Sequence, residues 1–210
     1  PAVKLVLAGL AGVAVVVVVV AVTLGIRIES GDSGPAGEGS FRGSEPPVTV
    51  AMPPFVLRDQ DGRLVRTADL RGRVVVLTFL DTKCTEACPV IAAHVAQAWE
   101  LLTAAERAES VAVAISSNPR HDTRGRIRAF LRRHRAEDTI RYLTGPVPAM
   151  SALWRRFQIL SALDSGDASV HSAPVRIYGR GLVWLATQHA GADLTPESLA
   201  HDIRVALARG

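Results

Sequence analysis

Sulfur and aromatic side chains are scarce in this chain of 210 residues, which has two cysteines, two methionines and 5% aromatic residues. With one pair of cysteines, all thiol chemistry must fall on that pair. With so few aromatics, no stripe of basic residues interleaved with stacking rings is present. The formal charge of +4 and the pI near 9.7 therefore do not point to nucleic acid, and no nucleic-acid partner is expected. Charge itself is missing from Leu5 to Ile26. No cysteine follows that apolar run to take a lipid, and Leu24-Gly25-Ile26-Arg27 offers no small-residue cleavage site. An internal repeat is absent too.

What is there begins with the apolar run. As a helix it would span roughly 30 Å of hydrocarbon, and it is longer than the core of about 7 to 15 residues usual in a cleavable signal peptide. Residues 1–28 are therefore expected to be a retained, single-pass transmembrane anchor. Lys4 and Arg27 flank the run evenly, so charge does not orient it. The cysteine pair suits an oxidising compartment, which places the body on the extracytoplasmic side of the cell membrane. Residues 29–49 are rich in Gly, Ser and Pro and read as a flexible linker, leaving 50–210 as the folded domain. Seven Arg fall between Arg120 and Arg135. A solvated helix face is the plain reading, with anionic lipid or a partner protein as the rival.

Within the body, residues 55–61 and 62–67 alternate as a hairpin around Asp61-Gly62. Arg73 to Leu80 is a continuous apolar run fit for a buried strand, and Ser110 to Ser116 is the next strand. Val95, Ala98, Trp99, Leu102 and Ala105 mark one face of a helix over 92–108. Helices are expected over 123–135, 148–157 and 195–208, the last capped by Thr195, with a short strand at 140–143. Residues 175–178 and 182–186 flank Gly179-Arg180-Gly181 as a second hairpin. Alternating strands and helices imply an α/β fold with a mainly parallel sheet and helices on both faces.

The chemistry centres on Cys84-Thr-Glu-Ala-Cys88, directly after the strongest strand and at the start of a helix. A separation of about one helical turn puts both sulfurs on one face, able to share a metal or close a disulfide. A helix N-terminus lowers a thiol pKa and favours the thiolate. The bland alternative is a pair of inert core cysteines, which the charged neighbours Lys83 and Glu86 disfavour. Two thiolates under-coordinate most metals, so a third ligand is expected, most often an imidazole. His121, His134, His189 and His201 read as solvent-facing, and His94 sits poorly placed on the helix after the pair. His171 follows a stretch without regular pattern and precedes the strand at 175–178, so it can stand on a loop at a strand end, where α/β folds build sites.

Taken together, Phe55-Val-Leu-Arg-Asp-Gln-Asp-Gly62, the strand leading into Cys84-x-x-x-Cys88-Pro89, Ile115-Ser-Ser-Asn-Pro119 with Asp122, Leu143-Thr-Gly145 and His171-Ser172 resemble the SCO/SenC family of copper-binding, thioredoxin-like proteins. The resemblance runs from about Pro54 to Ala208. It implies a thioredoxin-like fold, a central sheet with flanking helices, behind a single N-terminal transmembrane helix. It also implies that Cys84, Cys88 and His171 are metal ligands for copper, as Cu(I) or Cu(II). The function implied is a membrane-anchored copper chaperone, rather than an enzyme, for the binuclear copper centre of cytochrome c oxidase. Its partner would be the copper-bearing subunit of that oxidase or another copper protein. The alternative is a thiol-disulfide oxidoreductase acting on cysteines of a copper-site protein, with Cys84 attacking and Cys88 resolving, and with Pro174 in the place of the cis-proline that thioredoxins set beside their cysteines. Where many members have Pro, Asp and Asp-Pro, this chain has Thr85, Val170 and Asn118-Pro119. None of these changes removes a ligand, but Val170 takes away an acid that would orient His171.

Overall fold

Continuous apolar runs set the middle of the molecule. The computed structural model describes residues 39–159 and 173–210. Strands β3 (Val74–Leu80) and β4 (Ser110–Ser116) are buried at every position, as strands covered on both faces must be. Their side chains alternate. Val74, Val76, Ala112 and Ala114 enter one core cluster, while Val75, Leu77, Phe79, Val111, Val113 and Ile115 enter a second on the opposite face.

Strand β5 (Ile140–Leu143) extends the sheet beyond β4, and β6 (Val175–Tyr178) with β7 (Trp184–Gln188) extends it beyond β3, in the order β5-β4-β3-β6-β7. The β3–β4 and β4–β5 pairs are parallel, whereas β3–β6 and β6–β7 are antiparallel. The sheet is thus mixed rather than mainly parallel, because Gly179-Arg180-Gly181 returns the chain at once and a direct return pairs antiparallel. Strand β7 also starts later than expected. Leu182 adopts φ 63 and donates its amide to Gly179 O at 2.8 Å, so it belongs to the turn and not to the strand. A separate hairpin pairs β1 (Val56–Arg58) with β2 (Leu64–Arg66). Its turn needs glycine at position 62, where φ is +83° and a Cβ would lie 2.7 Å from the Arg124 guanidinium.

Helices α1 (Ala87–Leu101), α2 (Ala104–Ala108), α3 (Arg124–Arg133), α4 (Val147–Phe157) and α5 (Pro196–Ala208) complete the body. Helices α1, α3 and α5 cover the first cluster, and α4 with the β1–β2 hairpin covers the second. The single helix expected over 92–108 is two helices. Leu102 turns extended, and Thr103 starts the second helix through a capping box, its hydroxyl accepting from Glu106 N while Glu106 accepts from Thr103 N at 2.7 Å. Thr123 and Thr195 cap α3 and α5 in the same way through their hydroxyls. Ile127, Phe130 and Leu131 are the buried stripe of α3, and its arginines lie exposed.

The stretch expected to be a linker is partly body. Phe41 is buried, Ser44 and Ala51 bridge to Thr187 and Val183, and the amides of Arg42 and Gly43 donate to the buried Asp202 carboxylate at 2.7 and 2.9 Å. Backbone amides supply this docking, so a composition poor in apolar side chains did not prevent it. Residues 1–38, which include the expected anchor, lie outside the described residues. Among the described residues no helix is long and apolar enough to cross a membrane.

Candidate metal centre

Strand β3 ends at Leu80, and residues 81–86 carry the chain to the start of α1. Glu86 stands at the N-cap position but gives no side-chain bond to the first turn. A sulfur takes that place: the Cys88 amide donates to Cys84 Sγ at 3.5 Å, within the range for sulfur acceptors. Cys88 Sγ in turn accepts the Asp81 amide at 3.4 Å. Cys84 is half-buried and Cys88 is fully buried. The expectation that one turn brings the two sulfurs together is met, although Cys84 sits before the helix rather than on it.

The electrostatics differ from the sequence expectation. The hydrogen bond with Cys84, then burial, then the neighbouring charges of Cys84 and Asp81 push the Cys88 thiol far up, against the opposing pull of the Asp81 amide. The helix N-terminus does not produce a low thiol pKa here. Two sulfurs in contact in a desolvated pocket cannot both carry charge without a cation between them, so the pair titrates as a unit. A soft cation shared by both sulfurs would remove that penalty, since metal ligation requires the deprotonated form.

The turn is held from beneath by acids whose role the sequence did not disclose. Asp81 accepts the Lys83 amide at 2.8 Å and the Asn118 side-chain amide at 3.0 Å. Asp122, buried, accepts Thr82 N at 3.0 Å, Thr82 Oγ1 at 2.6 Å and Ser116 Oγ at 2.6 Å. The Tyr142 hydroxyl lies 2.7 Å from Leu80 O and 2.8 Å from Asp122, and its one proton serves either acceptor. Burial raises the Asp122 carboxyl, with the Ser116, Thr82 and Tyr142 bonds opposing. Asn118 and Asp122 lie within the sequence segment that carried the family resemblance, and their geometry gives that segment a function: it fixes the floor of the cysteine turn.

His171 lies outside the described residues. The chain re-enters at Ala173, which packs against the same core cluster as Cys84, Ala87 and Cys88. Pro174 follows a trans peptide bond, since no cis bond occurs among the described residues, so the cis-proline expectation is not met. The other histidines are committed elsewhere or apart. His94 Nδ1 lies 3.2 Å from Leu194 O and His201 Nε2 lies 3.0 Å from Ser40 O, so both rings are half-buried and bonded rather than facing solvent. His121 meets Arg126, and His134 stacks on Phe130 at 4.7 Å. Among the described residues no group of three or more His, Cys, Asp or Glu is arranged as a metal site, which leaves the sulfur pair as two-thirds of the expected ligand set.

Residues 44–207 match the family model described as SCO1/SenC. The chain belongs to the SCO1/SenC family. A SCO1 protein homolog of Bacillus subtilis is 29% identical over 84 residues, which are 40% of this chain and 43% of that relative, so the match spans less than half the relative's length. The copper-bound structure of Bradyrhizobium japonicum ScoI is similar with a TM-score of 0.63 at 21% identity, over 74% of this chain and 98% of that one. A structure of BsSco, described with a disulfide switch and as a member of the Sco family of cytochrome c oxidase assembly proteins, gives a TM-score of 0.65 at 23% identity, over 80% of this chain and 99% of that one. At these identities the structural likeness establishes the α/β, thioredoxin-like Sco fold, with its central sheet and flanking helices.

Proposed function

We propose that this SCO1/SenC protein takes up a copper ion at Cys84, Cys88 and His171 and delivers it during assembly of the binuclear copper centre of cytochrome c oxidase. The observation that carries this reading is the meeting of two sulfurs at one turn, with Cys84 Sγ on the Cys88 amide and Cys88 Sγ on the Asp81 amide, above a floor fixed by Asp122 and Asn118. Two soft thiolates suit Cu(I), and an imidazole extends the set to Cu(II). Cys84, half-buried, is the face through which cargo enters and leaves, and Cys88 is the deep anchor. Uptake releases the thiol protons, so affinity falls as pH falls. Residues 1–28 hold the body at the extracytoplasmic face of the membrane in this reading, within reach of a copper-bearing oxidase subunit or another membrane copper protein.

The test is copper stoichiometry and spectroscopy on the full chain, loaded separately with Cu(I) and Cu(II). One copper per chain with a thiolate charge-transfer band, lost in Cys84→Ser, supports the site. In His171→Ala, Cu(II) affinity is expected to fall by about tenfold or more while Cu(I) is retained, the scale of losing one ligand or its support. Unchanged Cu(II) affinity in that variant removes His171 from the ligand set.

A second reading rests on the same contact between the sulfurs. Cys84 thiolate attacks a partner disulfide, one partner sulfur leaves as thiolate, and Cys88 then displaces the partner from Cys84, so the partner is reduced and the Cys84–Cys88 pair oxidised. The depth of Cys88 makes the resolving step slow. Rapid turnover of a small disulfide that is indifferent to His171 would put this reading first.

A further inference from the structure

Beside the first turn of α1 lies a cavity of about 440 Å³, with Ala87, Pro174, Arg176, Trp184, Thr187 and His189 in its wall. Arg176 is the unusual member. It sits within β6, between Leu77 of β3 and Thr187 of β7, and is only 9% exposed. Its guanidinium stacks 4.3 Å over the Trp184 ring, and Nη1 donates to the Phe157 carbonyl at 2.9 Å. Its Nε–H is buried without a hydrogen-bond partner. Among the described residues Arg176 takes part in no ion pair: the arginines that do are Arg63, Arg128, Arg141, Arg180, Arg204 and Arg209.

Buried guanidinium groups are ordinarily paired with an acid, because removing a charge from water without compensation is expensive. Neither the stacked ring nor the carbonyl supplies a negative charge. The neighbouring Tyr178 does not either, since burial raises its hydroxyl against the influence of Arg176 and it stays a neutral phenol. Among the described residues no carboxylate stands in the cavity wall. Asp193, four positions after the wall residue His189, is engaged on the His189 amide at 2.6 Å. Thr187 Oγ1 accepts from Trp184 Nε1 at 2.9 Å, which leaves its own proton free to be donated. Alanine, proline, isoleucine and tryptophan carbon line the wall beside the neutral polar side chains of Ser44 and Gln158 and the ring of His189.

We infer that this cavity is a carboxylate-binding subsite, in which Arg176, fixed by Trp184 and Phe157, and the Thr187 hydroxyl receive the carboxylate of a ligand whose apolar body lies against Trp184 and Pro174. An anion there supplies the counter-charge that Arg176 lacks, and the binding energy comes from a charge-assisted hydrogen bond in a desolvated place. The carboxylate belongs either to a small organic acid or to an acidic side chain of a polypeptide. The cavity shares Ala87 with the cysteine turn, so an acidic segment seated in it would lie beside the sulfurs. The subsite does not depend on copper, because neither Arg176 nor Thr187 is a candidate ligand.

The test is a titration of the ¹⁵N-labelled full chain in mild detergent with 3-phenylpropanoate and, separately, with its neutral amide, following the Arg176 Nε–H and Trp184 indole resonances. The acid is expected to move both signals saturably, and the amide to leave them in place. Arg176→Gln should weaken binding of the acid by about tenfold or more, the scale of one charge-assisted hydrogen bond. No saturable movement in the wild-type protein, or equal movement with the amide, overturns the inference whether or not the variant folds. Acetyl-Phe-Asp-amide against acetyl-Phe-Asn-amide distinguishes the sources: preference for the Asp peptide over 3-phenylpropanoate assigns the subsite to a polypeptide, and the reverse to a small acid. Copper stoichiometry in Arg176→Gln stays that of the wild type, so failure of this inference leaves the copper reading standing, and the converse holds as well.

Discussion

Two buried charged side chains near the cysteine turn are built in opposite ways. Asp122 is ringed by an amide and three hydroxyls within 3.0 Å. Arg176 has a ring, one carbonyl, the neutral Tyr178 hydroxyl beside it and an Nε–H without a partner. The first is a closed centre whose bonds all go to the protein, and it holds Thr82 and the floor of the turn in place. The second is left open toward a cavity. A closed polar centre contributes rigidity, while an open one carries a desolvation cost that only an outside group can offset.

That contrast is most sharply broken by truncating the closed centre. Asp122→Ala should lower unfolding free energy by about 3 kcal/mol in urea titrations, since it strands several buried donors at once; a loss under about 1 kcal/mol would show that water replaces the carboxylate. Asp202→Ala comes next. It removes the acceptor for Arg42 N, Gly43 N and Gln188 Nε2 and should cost about 2 kcal/mol, with faster hydrogen exchange confined to residues 39–44. Arg176→Met should have the opposite sign, between neutral and about 1 kcal/mol more stable, because a buried charge without a counter-ion is replaced by apolar volume. A strong destabilisation there would mean that Arg176 is already paired.

The smallest expected effect is in pH. The Asp122 carboxyl is raised above its ordinary value by burial, so the native state holds that proton more tightly than the unfolded chain. Its contribution is therefore present in full below the ordinary carboxylate range and is lost as pH rises through the raised value. Wild type compared with Asp122→Asn across that acid window should show the difference narrowing with rising pH, and a difference that widens would mean the carboxyl is not raised.

Strands β3 and β4 were legible to within a residue because strands buried on both faces write themselves as continuous apolar runs. The break at Leu102 was legible in principle, as Thr103 and Glu106 form a capping signature, but the apolar spacing ran across it. The docking of Phe41 to Ser44 was not legible, since backbone amides bonding to Asp202 leave no mark on side-chain composition. Of the candidate site, the two cysteines and their closeness followed from spacing. The acids beneath them did not, because Asp81 and Asp122 lie far apart in the chain and meet at Thr82 and Asn118 only once the strands are side by side.

By itself the sequence determined the strand–turn–helix setting of Cys84 and Cys88, the Thr195 cap, and the family, all of which rest on local spacing and order. The tertiary structure alone decided that Cys88 is deep and its thiol raised, that the sheet is mixed, and that Arg176 is a buried cation. These depend on what the fold places opposite each side chain, and local pattern carries no information about solvent, dielectric or charge contributed by distant parts of the chain.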